Sequence, residues 1–243
     1  MAHITEEGMS GAIGNLVFYT MNGKKYARSK PNFSKRSRKA MSEGPLATVF
    51  GIVSTFGTAI LRGLQPSLLF PFSLATYNQA RGWMRKQYAP NHGEELWELS
   101  ARHNDMCQVN TAANLQTALQ SGIAVSDAGK GKIKVGIDEI SPLKHIKAPA
   151  GTRGVNIKLV ALSRSPDDRK AMVESCMEQY TILYSDVHLP AKETVLSIKG
   201  KPGDIVVVVV ALEFEMERGA FDGYSREAKY LPAAIVAMGK LKG

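Results

Sequence analysis

The sequence predicts an α+β protein in three stretches: an N-terminal β-hairpin and basic arm over residues 1–40, a small helical region over 41–122, and an immunoglobulin-like antiparallel β-sandwich over 123–243. Three observations carry that prediction. Asn22-Gly23 separates two β-prone runs, apolar residues recur at helical spacing from Pro45 to Leu64, and beyond Gly122 the hydrophobic period switches to two.

In the first stretch, Leu16 to Thr20 reads as a strand, Met21-Asn22-Gly23 as a turn, and Lys25 to Arg28 as the returning strand. A type I′ turn needs positive φ at both central residues, which Asn and Gly tolerate best. Gly8, Gly11 and Gly14 precede the hairpin at spacing three. A phosphate-cradling glycine loop follows a strand and opens a helix. Here a strand comes next, so the glycines are read as sites of tight turning or close backbone approach.

No acidic residue lies between Gly8 and Lys39, and Lys24, Lys25, Arg28, Lys30, Lys35, Arg36, Arg38 and Lys39 supply eight of the 31 basic side chains. Against 22 acids, the formal charge of +9 is therefore mostly a property of this arm. The eight cations are the candidate contacts to nucleic acid or another acidic partner. Gly8, Gly11, Gly14, Asn22 and Gly23 are the candidate turn and assembly positions.

From Met41 the composition becomes apolar. Ser42 or Gly44 caps a helix, Pro45 suits its first turn, and Leu46, Val49, Phe50, Val53, Phe56, Ile60, Leu61 and Leu64 share one face. Gly51, Gly57 and Gly63 each weaken an isolated helix by about 1 kcal/mol relative to Ala. They predict close packing against a partner element, supplied in part by another subunit. Ser73 to Tyr88 reads as a second helix with Leu74, Tyr77, Ala80, Met84 and Tyr88 inward. Arg81, Arg85 and Lys86 opposite them form either a solvated face or an extension of the basic surface. An acidic short helix over Glu94 to Asp105, a short strand at Cys107 to Val109 and a short helix over Ala112 to Gln120 complete the region.

Lys132 to Ile137 and Val155 to Ala161 alternate polar and apolar residues as half-buried strands do. Further strands are predicted at Ala171 to Cys176, Tyr180 to Tyr184, Thr194 to Ile198, Ile205 to Glu215 and Ala233 to Met238, separated by Pro and Gly turn signals. Ile205 followed by five valines is continuous instead of alternating, the pattern of a central strand covered on both faces. Ala220 to Tyr230 reads as a loop anchored by Phe221, Tyr224 and Tyr230.

Catalytic chemistry finds little support. Cys107 and Cys176 lack a CxxC neighbour or a histidine at zinc-ligand spacing, and two free thiols fit a reducing compartment. Cys107 with His103 is the one nucleophile pairing to weigh. His3, His92, His145 and His188 are scattered, and Asp138, Glu139, Asp167, Asp168 and Glu174 show no spacing that demands metal or acid–base work. The expectation is no enzyme, no metal, no cofactor and no small-molecule substrate. No apolar run reaches the roughly 18–20 residues of a membrane span, and no basic n-region precedes an apolar h-region. A cytoplasmic protein without a membrane partner is expected.

The opening GMSGAIGNLVFYTMNGKKYARSKP, the Pro-started apolar helix and a C-terminal half running from GKGKIKVGI to GDIVVVVVALEF resemble a family of uncharacterised proteins from Bacteroidota and their phages and prophages. Gly8, Gly11, Gly14, Gly23, Lys24, Arg28 and Pro31 match the family's opening pattern, whereas Asn91 to Gln120 matches poorly. The resemblance implies an all-β C-terminal half and a structural, phage-related setting without enzymatic activity. The functional expectation is a non-enzymatic structural or assembly protein, a homo-oligomer or part of a larger assembly such as a virion, with the arm touching subunits or nonspecific nucleic acid. The alternative is a nucleic-acid-binding protein acting through the cationic arm, with Tyr19, Tyr26 and Phe33 as stacking groups. Against specific recognition, no helix-turn-helix, RNP pair, zinc finger or KH loop is visible.

Overall fold

The computed structural model describes residues 3–5, 8–21, 23–30, 45–88, 106–166, 168, 170–217 and 223–241. The chain forms two compact units, Met1–Ala47 and Thr48–Gly243.

The first unit is a four-stranded antiparallel sheet in sequential order: β1 (His3–Thr5), β2 (Gly8–Ile13), β3 (Leu16–Met21) and β4 (Lys24–Ser29). The expected hairpin is present as β3 and β4. Met21 pairs with Lys24, which leaves a two-residue loop, and Gly23 has φ of 74°. Asn22, the other residue of that loop, lies outside the described residues, as do Lys35, Arg36, Arg38 and Lys39.

Strands β1 and β2 are additions to the predicted hairpin. GMSGAI carries a single β-branched residue and two glycines, so it has little intrinsic strand preference; pairing makes it a strand. Gly8 to Ser10 pair with β1, and Gly11 to Ile13 pair with β3. At the changeover Gly11 has φ of 108°, a conformation that side-chain-bearing residues avoid.

The second unit begins with α1 (Pro45–Leu64), whose first residues fall in the first unit, and α2 (Leu74–Tyr88). A two-residue strand β5 (Cys107–Gln108) and a single-turn helix α3 (Leu115–Ala118) follow. Then come β6 (Ile123–Gly129), β7 (Lys132–Ile137), the short α4 (Pro142–His145), β8 (Thr152–Arg164), β9 (Glu174–Leu183), β10 (Lys192–Ser197), β11 (Ile205–Met216), β12 (Gly223–Tyr224) and β13 (Ala233–Lys240). The large sheet has the order β5-β13-β11-β8-β9, with β12 also pairing to β11, and the small one the order β10-β7-β6. All pairings are antiparallel.

The two sheets pack face to face as the predicted sandwich. Val206, Val208, Val210, Leu212 and Phe214 of β11 point into a core shared with Ile133 and Val135 of β7 and Leu196 of β10. Its other face is also covered. Ile205, Val207, Val209 and Ala211 meet Val53, Phe56, Ile60 and Leu61 of α1 and Ala80 and Met84 of α2. Both sets of valines are therefore inaccessible to water, which is why the strand lost its alternation. Residues 41–122 and 123–243 thus contribute to one hydrophobic layer.

Glycines in α1 act as the packing reading expects at two of three positions. A Cβ on Gly57 would lie 3.0 Å from Arg81 Cγ and one on Gly63 2.9 Å from Val173 Cγ1, whereas one on Gly51 would meet nothing within 4 Å. On α2 the buried residues are Thr76, Ala80, Met84 and Tyr88, four apart. Leu74, expected inward, is 73% exposed because it sits at the start of the helix and off that row. Phe50 of α1 is likewise exposed.

Two strand assignments change in the sandwich. The segments expected as separate strands at 171–176 and 180–184 are one ten-residue strand, β9, continuously paired to β8 from Glu174 to Leu183. Strand β6 was not predicted, although Ile123 and Val125 alternate with exposed Ala124 and Ser126. Within 220–230 the described part holds β12 and a 3-10 turn at Ala228–Tyr230; Phe221 lies outside the described residues. The expected helix over 94–105 and His103 also lie outside them.

Candidate assembly surface

Side chains on neighbouring positions of a strand point to opposite faces, so the register of the N-terminal sheet sorts its residues. Val17 and Tyr19 share a face with their partners Arg28 and Tyr26 and with Lys24. Leu16, Phe18 and Thr20 share the other with Ser29, Ala27, Lys25 and Ile13. None of the side chains whose exposure is described between Gly11 and Lys30 is buried. Ile13 is 51% exposed and Leu16 45%.

The cationic face has internal order. The rings of Tyr19 and Tyr26 stack with centroids 5.5 Å apart and planes 21° from parallel, and the Arg28 guanidinium lies 5.9 Å from the Tyr19 ring centre. Cation, ring and ring therefore line one side of the hairpin, with Lys24 at its turn end. Lys25 projects from the opposite face, and Lys30 follows β4, its backbone N–H donating to the Asn15 carbonyl at 2.6 Å. Of the predicted cations, Lys24, Lys25, Arg28 and Lys30 are thus placed on or just after one outer strand. Of the predicted turn residues, Gly8 pairs with Thr5, Gly11 sits at the changeover between the two pairings of β2, and Gly14 and Gly23 occupy the loops.

The α2 cations belong to the second unit, and Arg81 and Arg85 have local partners. Arg81 donates from Nε to the Tyr77 carbonyl at 3.2 Å and from a terminal nitrogen to Ser54 Oγ at 3.4 Å, while Arg85 lies 5.9 Å from the Phe50 ring centre. Residues 1–93 hold twelve basic and three acidic side chains, and residues 94–243 hold nineteen of each. The whole formal excess of +9 is N-terminal, a third of its cations coming from the helices beyond the arm.

His103 lies outside the described residues, so of the nucleophile pairing only Cys107 is described. Burial pushes its thiol up to about 12, so a thiolate is scarce near neutral pH. Cys176 is a second free thiol, half-buried on β9. Asp138 lines a cavity of about 300 Å³ with Ile137, Ile140, Tyr180, Ile182 and Lys192. There the Lys192 ammonium sits 3.7 Å from the Tyr180 ring centre, and burial pushes the Tyr180 phenol up to about 12. Among the described residues no group of three or more His, Cys, Asp or Glu side chains has metal-binding geometry, and no helix is long and apolar enough to cross a membrane.

Sequence reading missed a buried polar cluster between the helical layer and the large sheet. Lys158 Nζ donates to Glu213 Oε1 at 2.6 Å and to the Ser67 carbonyl at 3.3 Å, and Asn156 Nδ2 donates to Glu213 Oε2 at 3.2 Å. Lys158 is on β8, Glu213 on β11, and Ser67 in the turn between α1 and α2, so the cluster ties the helical layer to the sheet. The available signal was Glu213 itself, a carboxylate between Leu212 and Phe214 in the fully buried part of β11. Comparison of the chain with protein-family models, curated proteins and solved structures finds no match in any of the three.

Proposed function

We propose that this is a non-enzymatic structural or assembly protein whose N-terminal sheet makes its contacts with neighbouring subunits, the particle of a Bacteroidota phage being the setting that the sequence resemblance implies. The observation that supports this reading is a regularly paired sheet with apolar side chains on both faces and no buried residue among those described from Gly11 to Lys30. Free-standing β structure of this size gains stability when a face is covered. A second copy supplies such a cover. Sedimentation equilibrium compares the full chain with residues 41–243. A concentration-dependent oligomer that becomes monomeric on truncation is the expected result; a full chain that remains monomeric at every concentration overturns the reading.

The stacked pair Tyr19 and Tyr26 under Arg28 favours a second reading, in which the same face holds single-stranded nucleic acid. Base stacking on an aromatic side chain contributes about 1–3 kcal/mol, so Tyr19→Ala with Tyr26→Ala lowers oligonucleotide affinity at least about fivefold if that reading holds. Equal mobility shifts by the variant and the parent protein remove it.

A further inference from the structure

The large sheet of the second unit ends on β9, whose one face packs on the sandwich core through Cys176, Tyr180 and Ile182, with Lys192 of β10 over Tyr180, and whose outer backbone edge pairs with no further strand among the described residues. Strand β9 pairs with β8 along one side for ten residues, without a register shift, and with no other strand on its outer side among the described residues. Proteins blunt such edges with lysine, proline, a bulge or brevity. The opposite edge, β5, is two residues long; of the small sheet's edges, β6 has a register shift and β10 begins with Lys192 and Glu193. Strand β9, ESCMEQYTIL, is long, unbulged and free of lysine and proline, and its only blunting device is charge of one sign. Its charges are both negative, Glu174 and Glu178, both exposed and four residues apart, hence on one face with Cys176 between them.

The outer strand of the N-terminal sheet has the matching pattern. Strand β4 pairs only with β3 among the described residues. Lys24 and Arg28 are four apart on one face, with Tyr26 between them, and every residue of the strand is exposed. Its lysines and arginine disfavour pairing with another β4 and favour pairing with a carboxylate-bearing edge. We propose that β4 of a second copy of this chain adds to β9 as a further strand. In the antiparallel register Arg28 lies opposite Glu174, Tyr26 opposite Cys176 and Lys24 opposite Glu178. The contact joins two different surfaces, so it propagates from copy to copy into a ring or a filament instead of closing as a two-fold dimer. This inference rests on the subunit-contact reading above and specifies the surface that receives the arm.

Two experiments on the full chain test it. Tyr26→Cys places a thiol opposite native Cys176 within the roughly 4.4–6.8 Å Cα separation that a disulfide spans. Mild oxidation is expected to give covalent dimers and longer multiples on a non-reducing gel, absent when Cys176→Ser is added and absent for Lys25→Cys, which points to the other face. In sedimentation, Lys24→Glu with Arg28→Glu weakens association about tenfold or more, Glu174→Lys with Glu178→Lys does the same, and the four changes together restore it. Absence of cross-linked multiples and of charge-swap rescue, in a chain that still associates through residues 1–40, overturns the β4–β9 pairing and leaves the assembly reading standing. A full chain that stays monomeric overturns both.

Discussion

The two ends of the chain solve opposite problems with the same secondary structure. In the large sheet, β11 is covered by the small sheet on one face and by α1 and α2 on the other, and every residue from Ile205 to Phe214 is buried. In the N-terminal sheet, the strands pair as regularly, yet the described side chains are all at least partly wet. Hydrogen-bonded pairing alone contributes little net stability, whereas apolar burial contributes about 25 cal/mol per Å². The large sheet is thus stabilised within the chain, and the N-terminal one carries unburied apolar and aromatic surface available to a partner. Charge does not divide the same way: residues 1–47 hold eight basic and three acidic side chains and residues 48–243 twenty-three and nineteen, because α1 and α2 add four cations to the second unit.

The largest expected effect tests how strongly the covered sheet depends on the buried Lys158–Glu213 ion pair. Glu213 and Lys158 have side chains only 4% and 12% exposed. Removing one partner leaves a charge without compensation, so Glu213→Leu or Lys158→Met alone is expected to cost about 3–5 kcal/mol. The double change removes both charges and is expected to fall within about 1 kcal/mol of the parent or to exceed it, because the pair's attraction roughly offsets its desolvation. Urea unfolding of the four proteins measures both numbers. Single variants that cost under 1 kcal/mol would mean that water reaches the pair and that the helical layer does not seal this face.

How far these features were legible depended on whether the signal was local. The Asn22-Gly23 loop, the Pro45 helix start and the five valines of β11 each encode their conformation within a few residues, and the hairpin, α1 and the doubly covered strand follow them. Strand β2 was invisible because its glycines encode permissiveness instead of a preference. Strand β9 was broken in two because Glu178 and Gln179 interrupt its apolar pattern, and its continuity comes from β8. The Lys158–Glu213 pair joins residues 55 apart in sequence, a juxtaposition set by strand order. The arm's cations were legible as composition. That Lys24 and Arg28 share a face with stacked Tyr19 and Tyr26 required the register.

A smaller effect separates glycines that face packed atoms from one that does not. Gly63→Ala puts a methyl 2.9 Å from Val173 Cγ1 and 3.3 Å from Leu162 Cδ2, where the sheet below gives little room, and a cost of about 1–3 kcal/mol is expected. Gly51→Ala, on the same helix with open space around it, is expected to stabilise by up to about 1 kcal/mol through helix propensity alone. Thermal unfolding gives the sign at each position. A stabilised Gly63→Ala would place α1 farther from the sheet than the structure does.

The smallest effect is expected in the N-terminal sheet. Ile13 and Leu16 pair across the β2–β3 loop and are about half exposed. In a dilute monomeric chain, Ile13→Thr or Leu16→Thr is therefore expected to shift stability by no more than about 0.5 kcal/mol, as for most surface substitutions. The same changes made at a concentration where subunits meet remove apolar area from a buried contact, and there the cost should rise toward the 1.5–3 kcal/mol or so of a fully buried aliphatic side chain. Unfolding followed across a dilution series reads both limits. A cost that is large and independent of concentration would mean that this face is covered within its own chain, and the contrast between a self-sufficient sheet and a partner-dependent one would collapse. A cost that grows with concentration is the signature of cover supplied by another copy.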